Sequence, residues 1–351
     1  MFDSISDAAL LALVGFLGGG VLGLAARMGR FCTLGAIEDV LYQGSDQRLR
    51  MWLLAISVAA LGSFSLIALS AFDPASTVYY QVGFSPLASI FGGLLFGYGM
   101  SLAGTCGFGA LARSGGGDLR AVVIVLVMGV AAYVMLSGPL SHFRVWMMEV
   151  TTVNTDLRSF PDAFAQMTGQ PAVFIGGAMA LVMLMTVLAS KEFRSQRQSL
   201  FWGTMVGLAV AGSWAGTYWV YVHGFTAETP RSFTFTAPLG ETMLFLMTSS
   251  GGGLSFGVGS VFGVLTGALA GSLFMGHFRW EACEDPRELR RQCLGAVCMG
   301  FGAVLAFGCT IGQGISAFSL FTFSAPLTFC AIMAGAALGL RQLISGFALN
   351  T

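Results

Sequence analysis

Charge is scarce in this chain. Only 10% of its 351 residues are Asp, Glu, Lys or Arg, where soluble domains carry roughly 25%. The 17 basic and 17 acidic residues cancel, so nothing supports a nucleic-acid-binding surface. Histidine is scarcer still. The three present, His142, His223 and His277, are scattered and form no zinc-ligand spacing. No C-x-x-C pair occurs, and the seven cysteines are an odd number mostly set within or beside apolar segments. That argues against a secreted disulfide framework. A G-x-x-x-x-G-K-[ST] loop is also missing, which speaks against direct ATP hydrolysis. No cofactor is expected, and an enzyme is not the expected class.

What the chain has in abundance is apolar length. Hydrophobic residues make up 55% and glycines number 49, with a mean hydropathy of +0.78. Apolar runs of roughly 20 residues recur throughout, the pattern of an all-α polytopic membrane protein in the lipid bilayer. The first run has no basic stretch before it and no small-residue cleavage site, so it reads as a span. Nine spans are expected, at 8–26, 51–72, 86–104, 119–138, 171–190, 200–221, 255–275, 293–308 and 326–345. Loops after the even-numbered spans then hold only Arg144, Arg158 and Arg231 of the 17 basic residues. By the positive-inside rule the N-terminus is expected outside and the C-terminus in the cytoplasm.

An internal repeat accompanies the spans. Aligning Cys106 with Cys309 pairs Gly97 with Gly300, Gly99 with Gly302, Leu102 with Leu305 and Gly109 with Gly312. "LVGFLGGGVLG" (13–23) resembles "MVGLAVAGSWAG" (205–216) at a slightly shorter offset of 192. Spans one and three pair with six and eight, an odd separation, so the copies are expected to be inverted. The expected division is a first repeat over 1–138, a linker with an additional span over 139–199, and a second repeat over 200–351. Inverted repeats commonly hold their site near the bilayer midplane, where broken helices meet.

The chemistry sits at the breaks. "GTCGFG" and "FGCTIGQG" interrupt apolar segments with glycines and leave Cys106 and Cys309 there. Backbone that leaves a helix inside lipid is tolerated only in protein or along a wet cavity. These stretches therefore read as re-entrant turns whose thiols, with Gly107 beside the first, face a path. "GRFCTLGA" places Cys32 at a third probable break; by the 192 offset its counterpart lies near Gly224 and is not a cysteine. Cys293, Cys298 and Cys330 read as structural, and Cys283 as exposed to the cytoplasm.

"GRFCTLGA", "GTCGFGALAR" and "MGFGAVLAFGCTIGQG", with chain length and span pattern, resemble the YeeE/YedE thiosulfate transporters of prokaryotic inner membranes. In that family three cysteines are successive stations for thiosulfate, which map onto Cys32, Cys106 and Cys309. The resemblance also implies an inner-membrane location and a cytoplasmic TusA-type sulfur-carrier protein as partner. One departure is that typical members have Gly-Gly-Cys at both central breaks; here they read Gly104-Thr105-Cys106 and Phe307-Gly308-Cys309.

The chemistry fits on its own terms. A thiolate facing a dianion in a low-dielectric path would repel it. A neutral S–H is a weak, soft donor that can touch a terminal sulfur and release it. Thr33, Thr310 and Gln313 are candidate supporting donors, and Arg30 and Arg113 candidate attractors at the inner mouth. Two alternatives stay open: a channel for another small anion or solute, and an integral-membrane thiol sulfurtransferase.

Overall fold

A computed structural model describes residues 6–153, 155, 157–225, 228–248, 253–282 and 285–345; Cys283 lies outside them. Sixteen α-helices follow in order: α1 Asp7–Met28, α2 Thr33–Glu38, α3 Gln47–Ala68, α4 Val78–Gln81, α5 Pro86–Ala103, α6 Gly107–Gly115, α7 Leu119–Leu136 and α8 Ser141–Thr151. Then come α9 Phe160–Thr168, α10 Ala172–Leu188, α11 Lys191–Ser195, α12 Arg197–His223, α13 Ala237–Met247, α14 Phe256–Phe274, α15 Pro286–Leu305 and α16 Ser324–Ser345. A π-helical stretch, Gly312–Ala317, lies between the last two. Among the described residues, β pairing is limited to isolated bridges such as Phe84 with Val153.

Local sequence sets the helix starts. Ser85 accepts from the Ala88 N–H and is followed by Pro86, whose missing N–H costs nothing in the first turn. Asp118, Ser255 and Asp285 cap α7, α14 and α15 in the same way. Such caps matter here because lipid supplies no partner for unpaired N–H groups.

A helix fills each of the nine expected segments, and six spans are long and apolar enough to cross a membrane. The α9–α10 pair, bent by 119°, makes a seventh if counted as one. The shortfall has local causes. α12 dilutes its apolar residues with Gly, Ser, Thr and Trp, and α15 begins with Arg287, Glu288, Arg290 and Arg291. Broken helices are present as expected, but the sharply bent pair is α9–α10. At Gly104–Cys106 the chain runs on, so that α5 and α6 form one interrupted span, Pro86–Gly115.

Helix packing follows an exchange rule. α1 lies along α14 and α12 along α3; α5 packs on α16 and α15 on α7. Swapping α1 with α12, α3 with α14, α5 with α15 and α7 with α16 turns each contact into the other. The α1–α12 and α5–α15 contacts map onto themselves. The rule reaches the short elements too. α2 touches α3 and α16 as α13 touches α14 and α7, and α6 touches α7 and α14 as the π-helical stretch touches α16 and α3. α10, packed on α3 and α9, stands outside the pattern.

Glycine makes these approaches close. On α1 and α14, a Cβ at Gly15, Gly19, Gly23, Gly259, Gly263 or Gly267 would strike backbone of the facing helix. Without water to drive apolar association, such close van der Waals packing is the main cohesive term between membrane helices.

Candidate functional site

Both central breaks end one helix with left-handed backbone and start the next at cysteine. Gly104, at φ 71°, caps α5, and Cys106 is the residue before α6. In the second half Phe307 and Gly308 both take positive φ (55° and 158°) ahead of Cys309. The strain at Phe307, a non-glycine residue, needs support from outside. Gln313 supplies it: its Nε2 donates to the carbonyls of Ala306 (3.0 Å) and Phe307 (3.1 Å), while its Oε1 accepts from Ser324 (3.4 Å). The Gln313 amide thus closes the break instead of facing open space.

Cys106 and Cys309 are each 1% exposed. The Cys106 sulfur accepts from the Gly109 N–H at 3.3 Å, and the Cys32 sulfur accepts from the Gly35 N–H at 3.5 Å. Cys309 is served from elsewhere in the chain: the Phe235 N–H donates to its sulfur at 3.3 Å, and the Thr234 hydroxyl lies 3.7 Å away. Each of the three sulfurs thus accepts one backbone N–H.

The structure brings the three thiols into one neighbourhood. Around the Cys106 sulfur lie the Cys32 and Cys309 thiols and the Thr310 hydroxyl. Phe235 links the two halves, packing its ring 5.3 Å from Phe108 while its N–H holds Cys309. Gly107, first residue of α6, packs against the end of the Met128 side chain, which a Cβ there would push aside. Thr33 and Thr310 are buried, at 2% and 0% exposure; the Thr310 hydroxyl is directed at the Cys106 sulfur, while the Thr33 and Thr236 hydroxyls have no hydrogen-bond partner within the described protein. A buried hydroxyl without a partner costs free energy, so Thr33 and Thr236 are open to a ligand or water.

Cys32 opens onto a vestibule of about 380 Å³. Arg27, Arg30, Arg48 and Arg113 line it together with Glu38, and Thr105 lies at its wall. Arg48 is tied to Asp39 at 3.1 Å, while Arg30 and Arg113 are exposed to solvent. At the other end of α3 and α5, a smaller mouth of about 40 Å³ is bounded by Tyr79, Phe84, Phe307, Gln313 and Phe323, with Arg158 as its charge.

Sequence reading missed the segment 231–236. Phe233 and Phe235 are fully buried in it, and Ser232 bonds Ser213 at 2.6 Å and Ser316 at 3.3 Å. Ser319 extends this hydroxyl cluster to Trp214 (3.1 Å) and Ser63 (3.3 Å). The available signal was the alternation Ser-Phe-Thr-Phe-Thr in a stretch with no helical periodicity.

The family described as sulphur transport matches residues 28–338. A thiosulfate transporter of Escherichia coli (strain K12) is 28% identical over 333 residues, covering 89% of each chain. A thiosulfate transporter of Spirochaeta thermophila is 24% identical over 348 residues, covering 90% of this chain and 94% of its own. The match spans both breaks and most of the helices, and the chain belongs to the sulphur transport family, the YeeE/YedE proteins its cysteine motifs resemble.

Proposed function

We propose that this multi-pass membrane protein carries thiosulfate inward across a prokaryotic inner membrane, handing the anion between Cys309, Cys106 and Cys32 by weak S–H contacts. The observation that carries the reading is the grouping of three thiols between a basic vestibule and a mouth at the opposite end of α3 and α5. The names of the two relatives support thiosulfate as the anion. Neutral thiols contact the terminal sulfur without a covalent bond, so the chain acts as a transporter, not an enzyme.

In this reading the halves are 1–138 and 200–351, with 139–199 between them. The N-terminus faces outside and the vestibule faces the cytoplasm. Arg30 and Arg113 draw the anion from Cys32, and Thr33 and Thr310 donate to its oxygens. A TusA-type carrier collects the product there.

The test is thiosulfate uptake by expressed variants, normalised for protein in the membrane. Cys106→Ser and Cys309→Ser are expected to lower uptake by about tenfold or more, as for loss of a contact to a charged ligand. Cys298→Ser and Cys330→Ser are expected to leave it unchanged. Full uptake in a variant lacking Cys32, Cys106 and Cys309 together overturns the thiol path.

A further inference from the structure

The exchange rule that relates the helices also identifies a partner for Cys32. Cys32 precedes α2, and α2 changes places with α13. The segment leading into α13 is Ser232-Phe233-Thr234, which matches Arg30-Phe31-Cys32 at an offset of 202, close to the 203 of Cys106 and Cys309. Burial follows the same match. Phe31 and Phe233 are 1% and 0% exposed, whereas Cys32 and Thr234 are both half-buried.

Contacts follow it as well. Cys32 lies within electrostatic range of Cys106 in one half, and Thr234 lies 3.7 Å from the Cys309 sulfur in the other. The position is built for this side chain. Gly312 leaves room for it, since a Cβ there would come 2.8 Å from the Thr234 hydroxyl oxygen, and the Gly312 carbonyl is held by the Tyr79 hydroxyl at 3.2 Å. Tyr79 in turn lines the aromatic mouth.

We infer that Thr234 is a fourth binding position on the path, at the end opposite Cys32, contributing a hydroxyl where the other half contributes a thiol. This rests on the transport reading above. A hydroxyl is a stronger donor to anionic oxygen than a thiol is. Thr234 therefore engages the oxygen-bearing end of an arriving sulfur oxyanion, and the softer S–H contacts follow deeper in. The position selects for an oxyanion before any thiol is reached.

The experiment combines uptake with thiol labelling in cells expressing the full chain. Thr234→Val is expected to cut thiosulfate uptake by about tenfold, the loss of one hydrogen bond to a charged group, with Thr234→Ser close to wild type. Thr234→Cys is expected to transport, to be blocked by an anionic, membrane-impermeant methanethiosulfonate reagent applied outside, and to be protected from it by thiosulfate. Wild-type uptake in Thr234→Val, or block of Thr234→Cys that thiosulfate does not slow, overturns the inference. If Thr234→Val instead fails to reach the membrane, the Thr234→Cys protection assay still decides. The thiol path stands or falls separately, on the Cys106 and Cys309 variants, so its failure leaves the Thr234 result readable.

Discussion

The vestibule at Cys32 and the mouth beside Gln313 occupy opposite ends of α3 and α5, yet they present different surfaces. The first is a space of about 380 Å³ with four arginines; the second is about 40 Å³, walled by Tyr79, Phe84, Phe307 and Phe323, with Arg158 its one charge among the lining residues. The helices around them obey one exchange rule, so the difference does not come from architecture. It comes from the lining side chains: arginines at one end, and Tyr79, Phe84, Phe307 and Phe323 at the other. One exchange-related helix arrangement can thus carry unequal side chains at its two ends. The basic end is the wider of the two.

The largest effect is expected where the aromatic end is least tolerant. Gly312 faces the Thr234 side chain, and a Cβ would lie 3.1 Å from the Thr234 Cβ and closer to its oxygen. Gly312→Val therefore displaces Thr234 and, through it, the Phe235 N–H that holds Cys309. Overpacking of this kind costs about 1–3 kcal/mol. Uptake should fall close to zero with protein still in the membrane. At the basic end the corresponding change, Gly109→Val, meets the Thr105 hydroxyl but displaces no backbone group that holds a cysteine from another segment, and is expected to be milder. Equal losses at the two ends would erase the comparison.

Reversing charge in the vestibule comes next. Arg30 and Arg113 are exposed and face the same space. Arg30→Glu with Arg113→Glu places four units of charge difference around an anion path, which should slow uptake about tenfold at low ionic strength and less in high salt. Arg158→Glu at the mouth is expected to matter less. Uptake measured across salt concentrations checks both; a larger effect at Arg158 reverses the assignment of the charge-dependent end.

How much of this was legible in the sequence depended on the kind of signal. The nine helical segments were legible because apolar length is a composition property that survives imprecise boundaries. Cys106 and Cys309 were legible because glycine is favoured where backbone takes positive φ, as at Gly104 and Gly308, and so marks the breaks. Thr234 was not. The 192 offset pointed to Gly224, which ends α12, whereas the matching segment lies ten residues later as non-helical chain with Phe233 and Phe235 buried. Non-helical chain held by hydroxyl contacts among Ser213, Ser232 and Ser316 leaves no periodicity to read. The Gln313 role was equally hidden, since only the three-dimensional break shows which carbonyls lack partners.

The smallest effect is expected at Tyr79, where it sharpens the question of how the aromatic end closes. Its hydroxyl donates to the Gly312 carbonyl at 3.2 Å, and its ring meets Trp214 edge-on at 6.2 Å. Tyr79→Phe keeps the ring contact and removes the hydrogen bond, worth about 1 kcal/mol or a fivefold shift in an equilibrium. If this bond helps hold the short α4 helix over the mouth, its loss raises the population with the mouth open. Labelling of Cys309 by an impermeant thiol reagent from the outer side should then speed up by up to about fivefold, with uptake changed by no more than that. Unchanged labelling would mean that the Tyr79 ring and its packing close the aromatic end, and the ring would become the group to remove.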